Sequence, residues 1–198
     1  MSTGECSPPA LASPTKGKII TVPADRGEGT IRNGSQCLLS ETGFTTGWQR
    51  VLLWANGTVQ RILSSYHNQA VTIKVIRNEP VLGKPAVFME SYTEPAGALL
   101  FNREVQLKIG DRILCVAQSK IAVTDSRFKD LLITKGVGIG QVFHYAKIVP
   151  DFRLLKVGQL PDQSFWRLYS LSCEGVYFEI HEHFMADVLV LDHSPLAL

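Results

Sequence analysis

The segment Val176–Phe184 places a carboxylate among apolar side chains. Read as a β-strand, its alternate residues point to opposite faces, so Phe178, Ile180, Glu182 and Phe184 share one face. A carboxylate at a core-facing position carries a large desolvation cost unless another group pairs with it or hydrogen-bonds to it. The strand must therefore lie against a core or line a pocket, and Glu182 is the first candidate functional residue.

A second segment carries the opposite charge in the same kind of position. In the strand predicted over Leu99–Lys108, Arg103 shares a face with Phe101 and Val105. Two hypotheses follow, and the spacing alone favours neither. Arg103 and Glu182 form a structural ion pair, or they line a cavity that binds an anion. A guanidinium suits the second use because its planar group donates two parallel hydrogen bonds to a carboxylate.

Strands dominate the rest of the pattern. A short Gly-containing turn joins the strands Leu99–Lys108 and Arg112–Val123, which predicts an antiparallel hairpin. Further strands are predicted at Lys18–Val22, Ala70–Ile76, Ala86–Tyr92, Lys147–Val157, Phe165–Cys173 and Val176–Val190. Helices are predicted at Thr45–Trp54, Asn56–Ser65, Thr124–Thr134 and Gln141–Tyr145. Because the helices do not alternate with every strand, we expect an α+β fold with a mostly antiparallel sheet.

Composition limits the domain organisation and the partners. With 198 residues, 45% of them hydrophobic, the chain can form one domain with a core. We expect this domain over residues 37–198, after a flexible leader over residues 1–36 that is rich in Pro, Gly, Ser and Thr. A net charge of +2 without a block of like charges predicts neither a nucleic-acid nor a membrane partner. The absence of a signal-peptide pattern predicts a cytoplasmic protein, in which the four cysteines are free thiols.

Two motifs suggest a cofactor, and we expect none from either. His181 and His183 have the spacing that opens the cupin metal motif, but no second ligand motif follows, so two solvent-facing histidines are expected instead. Gly136–Gly140 lacks the full glycine spacing of a dinucleotide loop and follows a helical segment rather than a strand. A tight turn, or a close approach of the backbone to a ligand, explains these glycines better.

Four segments, in this order, resemble the chorismate pyruvate-lyase family and its uncharacterised relatives. They are Gly47–Leu63, Asn102–Leu107, Val137–Phe143 and Gly175–Phe184. The resemblance extends over roughly residues 38–190. It implies a six-stranded antiparallel sheet with helices packed on it and an internal ligand cavity. It also implies a lyase that converts chorismate to 4-hydroxybenzoate and pyruvate without a metal or an organic cofactor.

The resemblance also implies roles for individual residues. Arg103 would bind a carboxylate of the substrate or product, and Glu182 would face the ring oxygen of the product. Gly138 and Gly140 would lie against the ligand. Other family members have a second arginine on the neighbouring strand, and here Gln118 is the expected equivalent. An amide cannot neutralise a carboxylate. Either Lys120, Lys135 or Arg167 compensates, or the substrate has one carboxylate fewer or is not chorismate.

Three alternatives to a chorismate lyase remain open. The same fold could serve an isomerase, a cyclase or a pericyclase that acts on another small organic anion in secondary metabolism. It could also form a non-catalytic protein that binds a small ligand, or a domain in which Arg103 and Glu182 only pair with each other. In the first two alternatives, as in the lyase, the expected partner is a small-molecule carboxylate. The expected assembly is a monomer or a small homo-oligomer.

Overall fold

The computed structural model describes residues 18–21, 44, 46–56, 58–83 and 88–191. Most of the predicted leader, residues 1–36, therefore lies outside the described residues. The helices are α1 (Gly47–Trp54), α2 (Val59–His67), α3 (Ser126–Lys129), which continues as a π-helical turn over Asp130–Thr134, and α4 (Ile139–Ala146). The strands are β1 (Lys18–Thr21), β2 (Thr72–Pro80), β3 (Leu99–Ile109), β4 (Arg112–Val123), β5 (Asp151–Gln159), β6 (Phe165–Cys173) and β7 (Val176–Phe184).

One antiparallel sheet contains all seven described strands, in the order β1-β5-β6-β7-β4-β3-β2. Six strands have nine residues or more, and the four-residue β1 pairs with β5 at one edge. The predicted α+β fold with an antiparallel sheet is confirmed. None of the helices in the described ranges is long and apolar enough to cross a membrane.

Helices and loops cover one side of the sheet, which we call the helix side. Phe178 and Phe184 of β7 are fully buried there, as the alternation of apolar residues predicts. Phe143 of α4 packs edge-on against Phe178, with 5.5 Å between the ring centroids. Leu52 and Leu53 of α1 belong to the same buried cluster. The main hydrophobic core therefore lies between the helices and this side of the sheet.

Residues 88–92 pack on the other side of the sheet, which we call the opposite side. Phe88 and Met89 form a small buried cluster there with Ala122 of β4. A strand was predicted over Ala86–Tyr92, and this prediction is wrong for residues 88–92, which form bends and irregular backbone. The carboxylate of Glu179 accepts hydrogen bonds from the backbone N–H groups of residues 90 and 91, so these groups do not join a strand ladder.

The β3–β4 hairpin contains a β-bulge. Its turn includes Gly110, whose φ of +55° suits glycine. Next to the turn Ile109 pairs with Arg112, but beyond the bulge Leu107 pairs with Cys115, so the register has shifted by one residue. Since directly paired residues share a face, the bulge decides which residues of β4 face the helix side.

Candidate functional site

A cleft of about 420 Å³ lies on the helix side, and we call it the helix-side cleft. Its floor consists of side chains from β3, β4, β6 and β7, and its walls come from α2 and from Gly138–Gln141. Arg103 and Glu182 both line it, as do the predicted glycines Gly138 and Gly140. The two charges that the sequence singles out therefore lie in one cleft.

Arg103 lies in the cleft with its charge unpaired. Only 5% of the residue is exposed, and among the described residues no hydrogen bond or ion pair is recorded for its guanidinium. Burial accordingly lowers the pKa of Arg103, since the desolvated cation has no nearby anion to stabilise it. A buried guanidinium without a partner is costly, and a ligand anion would relieve that cost.

Glu182 is paired, but with another residue than Arg103. Its carboxylate accepts a hydrogen bond of 2.8 Å from Nε of Arg167 and one of 2.9 Å from the hydroxyl of Tyr169. Arg167 and Tyr169 lie on β6, where Arg167 is the direct cross-strand neighbour of Glu182. The hypothesis that Arg103 and Glu182 form a structural pair is therefore wrong.

Arg167 connects the floor of the cleft to α1. Its Nη1 donates to the carbonyl oxygens of Leu53 and Ala55 at the C-terminal end of the helix, at 3.0 and 2.6 Å. Burial opposes the charge of Arg167, but its interactions with Glu182 and Tyr169 together outweigh burial, and the pKa of Arg167 is raised. From the sequence, Arg167 was expected only as a compensating cation. In the alternating pattern of β6, Arg167 shares a face with apolar residues. The same pattern identified Arg103 and Glu182 as candidates.

Tyr169 completes this buried group. Burial, followed by the charge of Glu182, raises the pKa of Tyr169 well above its ordinary value, so the phenol keeps its proton and donates a hydrogen bond to Glu182. The guanidinium of Arg167 lies over the Tyr169 ring, 4.2 Å from its centroid. Glu182 thus has a fixed position, and as a carboxylate it can accept one further hydrogen bond from a ligand.

Gln118 does not line the helix-side cleft, although it lines a second cleft, on the opposite side of the sheet, together with Arg103. Beyond the bulge Arg103 pairs with Ser119, so Ser119 lines the cleft and Gln118 points to the opposite side. There the Gln118 amide donates to the carboxylate of Glu104 at 3.0 Å. In a hairpin without a bulge, Arg103 would pair with Gln118. The bulge shifts the pairing by one residue, and so Ser119 rather than Gln118 lies on the same face of the sheet as Arg103.

The other candidate cations do not replace a second arginine in the floor. Lys120 points to the opposite side of the sheet. Lys135 pairs with Asp130 at 2.7 Å on the surface, and Arg167 is bound to Glu182. The cation that the sequence analysis missed is Arg61, an exposed residue of α2 that lines the cleft.

The first turn of α2 is a further feature that the sequence analysis missed. Thr58, Val59, Gln60 and Arg61 line the cleft, and no acidic residue lies in this turn. No hydrogen bond is recorded for the backbone N–H groups of residues 59–61 within the described part of the chain. Free N–H groups and the helix dipole make such a terminus favourable for an anion.

The histidines lie apart from the charged residues of the helix-side cleft, whereas the Cys115 thiol is buried close enough to Glu182 to interact with its charge. His181 and His183 point to the opposite side of the sheet. Within the described residues no group of three or more His, Cys, Asp or Glu side chains is placed to hold a metal ion. Cys115 is fully buried, and burial raises the pKa of its thiol well above the ordinary value, which makes it a poor nucleophile.

Comparison with protein-family models and with curated proteins finds no match for this chain. The site must therefore be interpreted from its own chemistry. It combines an unpaired buried guanidinium, a fixed carboxylate, a helix N-terminus and apolar walls such as Val105 and Ile180. This combination can bind a small organic anion, hold its apolar part, and accept a hydrogen bond from a hydroxyl group of the ligand.

Proposed function

We propose that the helix-side cleft binds a small cyclic carboxylate and that the protein is a cofactor-independent lyase of the chorismate lyase type. The observation that carries this proposal is the buried, unpaired guanidinium of Arg103 in the same cleft as Glu182. A cation left without a partner in a ligand-sized cleft favours an anionic ligand. The four segments that resemble chorismate pyruvate-lyases provide independent support.

Chorismate would place its two carboxylates at different points of the cleft. One carboxylate would bind Arg103 on the floor, and the other would bind near Arg61 and the first turn of α2. Arg61 and this helix terminus would then supply the positive charge that Ser119 does not. The apolar side chains of Val105, Leu107 and Ile180 would contact the ring.

The reaction needs no oxidant, metal or co-substrate. The ether C–O bond between the ring and the enolpyruvyl group breaks, and the ring carbon that bears the hydroxyl loses its proton. The electron pair of that C–H bond completes the aromatic ring, while the leaving group takes up a proton and becomes pyruvate. The enzyme has to orient the substrate, neutralise its carboxylates and direct these proton transfers. Glu182, held by Arg167 and Tyr169, would accept a hydrogen bond from the ring hydroxyl.

The test is incubation of the purified full chain with chorismate. Formation of 4-hydroxybenzoate is followed by its absorbance after chromatography, and pyruvate by coupling to lactate dehydrogenase. We expect both products in equal amounts. Arg103→Ala should lower kcat/KM by at least about 100-fold, since one charge-assisted contact of this kind contributes about 2.7–4 kcal/mol. Arg103→Lys, which keeps the charge but not the planar fork, should be intermediate.

Two controls make the result specific. Arg127→Ala removes an exposed arginine that pairs with Asp125 away from the cleft, and it should leave turnover unchanged. Glu182→Gln should reduce turnover if the carboxylate takes part in the proton transfers. If chorismate yields no product and 4-hydroxybenzoate does not bind, or if Arg103→Ala is as active as Arg127→Ala, the proposal is refuted.

A second candidate is a binding protein without catalysis. The observation in its favour is that Glu182 already has two protein partners, Arg167 and Tyr169, which limits its freedom to exchange protons with a ligand. In that case 4-hydroxybenzoate binds and Arg103→Ala abolishes the binding, while chorismate stays intact. Calorimetry with 4-hydroxybenzoate beside the product assay therefore separates the two candidates.

A further inference from the structure

A second cleft, of about 340 Å³, lies on the opposite side of the sheet, and we call it the opposite cleft. Its floor includes Gln118 and Lys120 of β4, His181 of β7 and Trp166 of β6, and Glu90 lies at its wall. The volume is in the range of pockets that bind small molecules. The function proposed for the helix-side cleft makes no use of this one.

Among the described residues, four cationic side chains and two carboxylates line the opposite cleft. The carboxylate of Glu90 pairs with Lys156. The carboxylate of Glu179 accepts hydrogen bonds from two backbone N–H groups, at 3.2 and 2.9 Å, and from the hydroxyl of Ser91, at 2.5 Å. Lys120 has no carboxylate within ion-pair distance among the described residues, and its ammonium group lies 5.9 Å from the centroid of the Phe88 ring. Lys120 lies beside Glu179 on the neighbouring strand and near Glu90 but forms an ion pair with neither, so its ammonium group can bind a ligand anion.

His181 adds a neutral polar group beside this charge. Its ring packs against Trp166 with 5.1 Å between the centroids, and no hydrogen bond of the ring is recorded within the described ranges. Burial, together with the charge of His183, lowers the pKa of His181 to about 4. At neutral pH the ring therefore offers one N–H donor and one acceptor nitrogen, and carries no charge.

We propose that the opposite cleft is a second ligand site, which binds a small organic carboxylate through Lys120 and His181. The ammonium group of Lys120 neutralises the carboxylate, and the imidazole N–H donates a hydrogen bond to it. Leu168 and the edge of Trp166 give the carbon part of the ligand an apolar contact. This inference is independent of the activity proposed for the helix-side cleft, although Arg103 and Ser119 lie in the shared sheet and line both clefts.

The test is an NMR titration of the full chain with benzoate as the probe. The His181 ring C–H and Trp166 indole N–H signals, assigned by substitution, should shift and saturate. Lys120→Gln should weaken this binding at least about tenfold, which corresponds to about 1.4 kcal/mol. Lys74→Gln is the matched control, because Lys74 is an exposed lysine on the same side of the sheet and outside the cleft.

A third variant separates the two clefts. Gln141 is exposed and lines only the helix-side cleft, so Gln141→Trp obstructs that cleft without disturbing the core. It should leave the benzoate shifts at His181 and Trp166 within about twofold in affinity. The proposal is overturned if these signals show no saturable shift, if Gln141→Trp abolishes the shift, or if Lys74→Gln weakens binding as much as Lys120→Gln. Inorganic phosphate binding as tightly as benzoate would also overturn it, since the site would then select charge alone.

Discussion

Removal of the Arg167 guanidinium should destabilise the fold far more than removal of any surface arginine. In Arg167→Met the aliphatic stem is retained, but the ion pair with Glu182 and the hydrogen bonds to the carbonyls of Leu53 and Ala55 are lost. Glu182, of which only 7% is exposed, then stays buried without a counter-charge. Loss of one partner of a buried pair costs about 3–5 kcal/mol. For a chain of this size we therefore expect the Tm to fall by about 6–20 °C.

Urea denaturation followed by circular dichroism measures this change, and a double-mutant cycle isolates the pair. Arg167→Met combined with Glu182→Leu should be more stable than Arg167→Met alone, because the second substitution removes the unpaired charge. Arg127→Met is the control, since Arg127 and Asp125 form an exposed pair, and it should not measurably change the free energy of unfolding. The reasoning is refuted if Arg167→Met is no less stable than this control, or if Glu182→Leu adds its full cost in the Arg167→Met background.

Two further predictions concern the opposite side of the sheet. In Gly158→Ala the new Cβ would lie 2.5 Å from the Trp166 ring, so we expect the free energy of unfolding, measured by urea denaturation, to fall by about 1–3 kcal/mol. Gly138→Ala is the control, because no neighbouring side chain among the described residues lies within 4 Å of its Cβ, and its stability should not change. Equal effects of the two substitutions would contradict the prediction. The pKa of His181 is about 4 in the folded chain and 6.5 ordinarily, so as the pH falls the unfolded chain takes up the proton first. As the pH falls from about 6.5 to 4, the free energy of unfolding should therefore decrease by at most about 3 kcal/mol. His181→Gln should reduce this dependence of stability on pH. An unchanged dependence would argue against a buried neutral imidazole.

The period-two patterns predicted the sheet well. The hairpin of β3 and β4 and the strand β7 lie where the alternation of apolar residues puts them, and Arg103 and Glu182 share the helix-side cleft. These predictions succeeded because burial on one face imposes a strict alternation on the sequence. Strand ends were less accurate: β7 ends at Phe184 rather than Val190, since within the described part of the chain no partner strand continues beside residues 185–190.

Two features of the site could not be predicted from local pattern. The bulge in the β3–β4 hairpin leaves no clear mark in the sequence around Leu114, yet it exchanges Gln118 for Ser119 on the helix side. The pairing of Glu182 with Arg167 depends on which strands are neighbours, and the alternation within each strand does not contain that information. Arg103 and Arg167 have the same local pattern, and only the sheet order distinguishes the free cation from the paired one.

The bond from Arg167 to the end of α1 also restricts how a ligand can enter the helix-side cleft. If the connection between α1 and α2 moved away from the sheet, the carbonyls of Leu53 and Ala55 would leave the guanidinium, at a cost of several kcal/mol. The second wall of the helix-side cleft, Gly138–Gln141, follows Gly136, whose φ of +62° marks a sharp change in chain direction. We therefore expect ligand access from the α4 side, with the first turn of α2 as the fixed wall against which the ligand is positioned.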